Sequence, residues 1–262
     1  VTEPGESEID AAGLIVAPGF VDVHTHFDAQ VFWDTTLSPS PLHGVTTVIS
    51  GNCGFTIAPL EAEHGEYMME MLARVEGMPL TSLQEGVPWN WRTFGEYLDA
   101  IDGTLMPNAG FLVGHSALRR TVMGERSVGE FASEDELQSM KELLAESISA
   151  GGLGFSSSWA KTHNDADGEA VPSRHASENE LIELCSVLRD SDAVALEFIP
   201  TIERFDNEVY QLLTDMSVAA DKPLNWNVIF VNARQADLIE EKLQASNYAA
   251  RQGGRVIALT AP

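Results

Sequence analysis

The run Pro18-Gly19-Phe20-Val21-Asp22-Val23-His24-Thr25-His26 sets two histidines two residues apart in a strand-like stretch. Strand side chains alternate faces, so His24 and His26 point the same way. Two imidazoles on one face, at a strand's carboxyl end, can hold one divalent metal ion. A second apolar stretch, 45–50, runs straight into Gly51-Asn52-Cys53-Gly54. A thiolate is a good zinc ligand, and the flanking glycines let the backbone turn tightly around it. A buried free thiol in a turn is the competing reading. The place of Cys53 at the tip of a strand next to the first favours the ligand.

Other groups with chemistry sit at later strand ends. His115 follows the stretch 110–114 and is expected on the same rim, as a catalytic group, a ligand or a substrate contact. Glu197, in the stretch 193–199, reads as an oxygen ligand, a proton-transferring carboxylate or a paired structural acid. Arg174 can clamp a substrate carboxylate in a bidentate manner. Lys161 reads first as a surface ion pair, and Arg119 and Arg120 are further candidates. His43 precedes a strand and reads as structural, His64 as a solvated helix residue. His163 and His175 flank a polar loop after the stretch 153–158. Ser156-Ser157-Ser158 lacks the Gly-x-Ser-x-Gly elbow of a serine nucleophile.

These groups need a frame. Apolar runs at 19–24, 45–50, 110–114, 153–158, 193–199, 224–230 and 256–260 read as strands. Helical patterns at 134–150, 178–189, 207–220 and 234–251 alternate with the later ones. Such alternation predicts parallel βαβ units. Ser133 and Ser177 read as N-caps. The fold class expected is α/β, a (β/α)8-type TIM barrel, for which residues 18–262 supply seven of the eight strands. Residues 1–17, with a strand-like stretch over 8–16, read as the remnant of a small β domain. Residues 61–103 read as an insertion whose Trp89, Trp91, Phe94 and Tyr97 form either a lid or the insertion's own packing. The chain begins at Val1 and is expected to be cut at both ends.

Composition narrows the class. The 262 residues are 44% hydrophobic, ample for one buried core. With 40 acidic and 15 basic residues, the formal charge is −25. That disfavours nucleic acid and anionic membranes, and fits a solvated surface or a salty medium. No apolar run reaches 18 residues, so no membrane span is expected. No secretory leader opens the chain, and the cytoplasm is the expected location. Two cysteines imply no disulfide framework. Cys185, in the helical pattern 178–189, reads as a buried structural thiol.

Residues 18–26, 32–41, His43-Gly44-Val45-Thr46-Thr47, 51–54, 154–158 and 171–175 together resemble the D-aminoacylase (N-acyl-D-amino-acid deacylase) branch of the amidohydrolase superfamily. The sharpest parts are the first segment and the Gly-Asn-Cys-Gly turn. The resemblance implies that His24, His26 and Cys53 are ligands of one or two divalent ions, zinc first. It implies that small polar residues such as Ser157 shape the substrate pocket. It departs from the family at two strand tips where histidines are usual, which here carry Glu197 and Asn227, and the family's catalytic Asp has no counterpart in these residues. The implied activity is metal-dependent hydrolysis of the amide bond of small N-acylated amino acids, with the D configuration coming only from the resemblance. His115 is then expected to steady the oxyanion and Glu197 to move the proton. A cyclic amidase of hydantoinase or dihydroorotase type is the nearest alternative, although Lys161 lies past the strand tip where such enzymes carry a carboxylated lysine. A truncated barrel that binds metal without turnover is the other. An incomplete barrel exposes apolar edges, so homo-oligomer formation is also expected.

Overall fold

Every ladder in the computed structural model, which describes residues 9–261, is parallel. Strands β1 (Phe20–Asp22), β2 (Val45–Ser50) and β3 (Asn108–Phe111) form one sheet. Strands β4 (Val113–Gly114), β5 (Gly154–Ser158), β6 (Ala195–Ile199), β7 (Leu224–Phe230) and β8 (Val256–Ala261) form the other, in sequence order. The break between the sheets is a single residue. Leu112 N donates to Ser50 O while Leu153 N donates to Phe111 O, so residues 108–114 are one extended run that changes partner midway. This run is the single strand expected at 110–114. No ladder joins β1 to β8 among the described residues. A cleft of about 540 Å³ lies between them, lined by Val21, Val45, Ile199, Phe230 and Leu259.

Helices α1 (Gly65–Val75), α2 (Leu80–Gly86) and α3 (Phe94–Ile101) fill the segment between β2 and β3. Helices α4 (His115–Met123) and α5 (Glu134–Ser149) follow β4, and α6 (Glu178–Ser186), α7 (Asn207–Ala220) and α8 (Ala236–Ala250) follow β5, β6 and β7. The helix starts are written locally. Ser133 and Glu136 close a capping box on α5, and Ser177 Oγ accepts from Glu180 N at α6. Each cap satisfies amides that the first turn leaves open, worth about 1 kcal/mol. Where helices cover the sheet, β5 and β6 are buried almost along their whole length instead of alternating, while β1, β2 and β8 keep exposed positions. Every residue of β5 is buried, and Leu196, Phe198, Leu224 and Trp226 pack with Leu144, Leu184, Leu213 and Met216 from the helices.

Two expectations change. Residues 9–16 form no strand, and Ile9, Leu14, Ile15 and Val16 are exposed. A strand needs a partner, and residues 9–16 are in no ladder with the described strands. Residues 1–8 lie outside the described residues. Of the two readings of the insertion aromatics, packing holds, with Trp89 against Trp91 and Phe94 against Tyr97. Trp91 stacks on Phe32 at 5.0 Å and donates to Ile57 O, and Tyr97 donates to Asp28 O beneath the strand ends. His64 is buried, not solvated. No helix among the described residues is long and apolar enough to cross a membrane.

Candidate metal centre

The chain continues extended past β1, held against β2. Thr25 donates from N and Oγ1 to Ile49 O, and its hydroxyl also meets Ser50 Oγ at 2.7 Å. With Thr25 turned to β2, the residues on either side of it face away together. His24 and His26 thereby share a face, as the spacing predicts.

Cys53 reaches them from a turn that few sequences can form. Gly51, Cys53 and Gly54 have φ of 79°, 58° and 77°. A Cβ on Gly51 would lie 2.3 Å from Leu112 O, so only glycine fits there. A left-handed non-glycine such as Cys53 costs on the order of 1 kcal/mol and persists only when its surroundings impose it. Here they do. Gly51 N donates to Asp28 Oδ2, Cys53 N to Glu197 Oε2 at 2.7 Å, and Gly54 N to Ser156 Oγ. Asn52 Nδ2 is shared between Thr25 O and Ile49 O.

The outcome is a convergent donor set. Cys53 Sγ lies 3.4 Å from His24 Nε2 and 3.7 Å from His26 Nε2. A tetrahedral zinc ion with ordinary Zn–S and Zn–N bonds sets its sulfur and nitrogen ligands about 3.6 Å apart. The three side chains form the one metal-capable cluster of this kind among the described residues. The Nδ1 atoms of both histidines are buried without a hydrogen-bond partner, and that of His26 has the Glu76 carboxyl at 3.4 Å.

The electrostatics favour a cation. Burial lowers His24, and burial with the neighbouring His24 and His163 rings brings His26 down to about 3. Both rings are neutral at pH 7 and keep a lone pair. Burial and the carboxyls of Glu197, Glu76 and Asp28 push the Cys53 thiol well up. Burial raises Glu197 to about 8, and Asp28 and Glu76 to about 7. A divalent ion reverses these penalties, since it favours thiolate and carboxylate over their neutral forms. The donor set and its surroundings therefore fit zinc.

Glu197 and Asn227 stand where the resemblance leads one to expect histidines. The structure brings both to the centre. Asn227 Nδ2 donates to Glu197 Oε1, and Glu197 Oε2 holds the Cys53 amide. Asn227 Oδ1 has no partner. Both residues line a cavity of about 200 Å³ with His24.

Two expected site residues lie elsewhere. His115 does not face the rim. It opens α4, is fully buried, and uses both ring nitrogens, with Nδ1 against Ser157 Oγ and Nε2 against Glu180 Oε1, each at 2.8 Å. Ser157 is equally buried and spends its hydroxyl on that contact, so it is closed to substrate. Arg119 completes the group with two 2.6 Å contacts to Glu180. The trio Ser157–His115–Glu180 has the order of a nucleophile triad but no access, and the Arg119 charge locks it. Strand position alone did not show that His115 starts a helix, which turns its side chain inward.

Arg174 donates from Nη1 to His163 O and Asn164 Oδ1 and lines a cleft of about 310 Å³ with Trp159, Phe131 and His175. Lys161 pairs with Glu203 on the surface. Arg120 stacks over the Tyr67 ring at 4.0 Å. Cys185 is buried, and burial pushes its thiol up, which makes it inert. Sequence reasoning missed two residues around the centre, Asp28 and Glu76, and placed His163 only at the edge of a polar loop. His163, read as flanking a loop, has Nδ1 on Ser158 Oγ and its ring against Phe55, and burial, the Arg174 guanidinium and the neighbouring His24 ring lower it to about 4.

An amidohydrolase family model matches residues 7–257. The chain belongs to the amidohydrolase family. It is 34% identical over 183 residues to a D-aminoacylase of Alcaligenes xylosoxydans xylosoxydans, covering 70% of this chain and 33% of that protein. An uncharacterized protein of Mycobacterium tuberculosis is 39% identical over 218 residues, covering 78% of this chain and 34% of the relative. A solved D-aminoacylase with a binuclear metal centre superposes with a TM-score of 0.67 at 27% identity, over 91% of this chain and 46% of that one. The fold is thus an α/β amidohydrolase fold similar to that of D-aminoacylase. The chain spans about a third of the length of the curated relatives it matches.

Proposed function

We propose that the protein hydrolyses the amide bond of small N-acylated amino acids, of the D series, with zinc held by His24, His26 and Cys53. The observation that carries this reading is the donor set itself, whose sulfur–nitrogen separations of 3.4 and 3.7 Å match one tetrahedral ion. The similarity to D-aminoacylase supplies the substrate class. One ion per chain is the count we favour, because a second would need ligands where Asn227 and the Glu197–Asn227 hydrogen bond stand. A bound divalent ion supplies Lewis acidity toward the scissile carbonyl and lowers the pKa of a water.

The chain's own residues do the rest. The neutral imidazoles of His24 and His26 each offer one nitrogen lone pair at pH 7 and keep a single N–H on the other nitrogen. Glu197 is a buried carboxyl beside Cys53 that also borders the cavity reached by His24, so it is assigned the proton transfer to the leaving amine. Arg174 is assigned the substrate carboxylate, since a chain of charge −25 needs a local cation to hold an anion. For the whole protein we propose a (β/α)8 barrel, with the cleft between β1 and β8 as the place of the strand that these residues do not supply.

Metal content of wild type and Cys53→Ala, paired with turnover of N-acetyl-D- and N-acetyl-L-amino acids by the full-length protein, tests this. Near-stoichiometric zinc that falls in the variant, with hydrolysis of the D series, is expected. Zinc without turnover of any N-acyl amino acid would establish a non-catalytic metal-binding barrel, the reading that the absent histidines at Glu197 and Asn227 favour. Turnover of dihydroorotate or a hydantoin alone would establish a cyclic amidase.

A further inference from the structure

We propose that Glu76, brought in by the 61–103 segment, is the positioning residue of His26, holding its ring so that Nε2 faces the metal. The proposal rests on the reading of His26 as a ligand, and deepens it.

Glu76 caps the carboxyl end of α1, its amide bonded to Leu72 O. An acid is poorly placed there, because the helix dipole turns its negative end to the side chain. Glu76 is also mostly withdrawn from water, with its side chain 16% exposed. Nothing in helix chemistry selects such a residue, so its reason lies in what it faces. Its Oε1 is 3.4 Å from His26 Nδ1. That nitrogen has no hydrogen-bond partner of good geometry and is shut off from water. On the other side of the ring, Nε2 looks at Cys53 Sγ. His26 therefore has a metal-facing nitrogen and an outer nitrogen against a carboxylate, the arrangement that fixes tautomer and ring orientation in metal-binding histidines.

The helix that delivers Glu76 is itself fixed. Met68, Met71 and Leu72 are buried in the core, and Tyr67 is pinned between Asp165, through its hydroxyl at 3.2 Å, and the guanidinium of Arg120. The 61–103 segment is thus joined to the donor set through one carboxylate. His24 has no such acid on its Nδ1, which makes His26 the ligand whose geometry depends on this segment.

The test uses the full-length protein stripped of metal, with Glu76→Gln, Glu76→Ala and the exposed control Glu66→Ala on the same helix. Zinc affinity is measured by competition with a chromophoric chelator, and the His26 tautomer by nitrogen-15 NMR of the metal-free protein. Glu76→Ala is expected to weaken zinc binding roughly 10–100-fold. Glu76→Gln, which keeps an acceptor oxygen, should lose less, and Glu66→Ala nothing. Metal-free His26 should carry its proton on Nδ1 in wild type and lose that preference in Glu76→Ala. Zinc binding within twofold of wild type in both Glu76 variants would overturn the proposal, as would a wild-type His26 protonated on Nε2. If wild type takes up no zinc at all, the metal-centre reading fails, and the tautomer then decides the Glu76–His26 pairing by itself.

Discussion

Replacing Glu180 by alanine should unfold the protein at a lower temperature without emptying the metal site. Burial alone would push the Glu180 carboxyl up, but the His115 hydrogen bond and the charges around it, Arg119 included, hold it below the usual range. Arg119 is fully buried, with Nη1 on both Glu180 oxygens and Nη2 on the carbonyls of Ser127 and Glu130. Its Nε is already without a partner. Glu180→Ala leaves a guanidinium in the interior with no anion, which costs about 3–5 kcal/mol. Unfolding entropy of about 2.1 cal/mol/K per residue over 262 residues makes 1 kcal/mol equivalent to about 2 °C. The expected fall in the thermal midpoint is therefore roughly 5–9 °C. Circular dichroism melts at fixed zinc give the shift, and elemental analysis below the transition gives metal content. A fall under about 2 °C would refute the argument that the Arg119–Glu180 pair is a buried, solvent-free ion pair. Loss of zinc from a still-folded Glu180→Ala would refute the separation of this group from the metal centre. Ser157→Ala, removing one buried hydroxyl, should cost about 1 kcal/mol and leave zinc in place.

Gly51→Ala should abolish zinc uptake, since its Cβ would meet Leu112 O at 2.3 Å and shift the Cys53 turn. Gly168→Ala has a similar positive φ but open space around it, so melts should show a loss of only about 1 kcal/mol with zinc retained. Equal effects of the two would mean that backbone strain, not the Leu112 contact, selects glycine at 51. Glu197→Ala leaves the Cys53 amide and the Asn227 amide group without their acceptor, at about 1–3 kcal/mol each. It should both lower the denaturant midpoint and weaken zinc binding, and unchanged zinc affinity would count against Glu197 as the prop of Cys53. The metal-free protein should also lose stability from pH 6.5 to 8. Glu197, Asp28 and Glu76 are raised to about 8, 7 and 7, so the stability they lend is complete at acid pH and lost as pH rises through those values. His26 and His163, lowered to about 3 and 4, contribute the opposite dependence, but only as pH falls below 6.5 toward those values. Urea midpoints at pH 6.5 and 8 with chelator present decide this, and a rise toward pH 8 would contradict it.

The sequence by itself determined what depends on near neighbours. His24 and His26 share a face because strand geometry repeats every two residues. Gly51 and Gly54 mark a turn because only glycine enters that backbone region freely, and Ser133 and Ser177 mark helix starts because their hydroxyls reach the amides three residues on. The tertiary structure decided what depends on distant partners. Glu197 holds Cys53 across 144 positions, and Glu180 holds His115 across 65. His115 illustrates the limit: its place after a strand pointed to the rim, but the α4 start and an acid from α6 turned it into the core. Glu76 was legible at most as an acid ill-suited to a helix's carboxyl end, and what it faces appears only once the helix is packed. Cooperation of this kind is set by how elements stack, and stacking energies are summed over contacts that no short window of sequence contains.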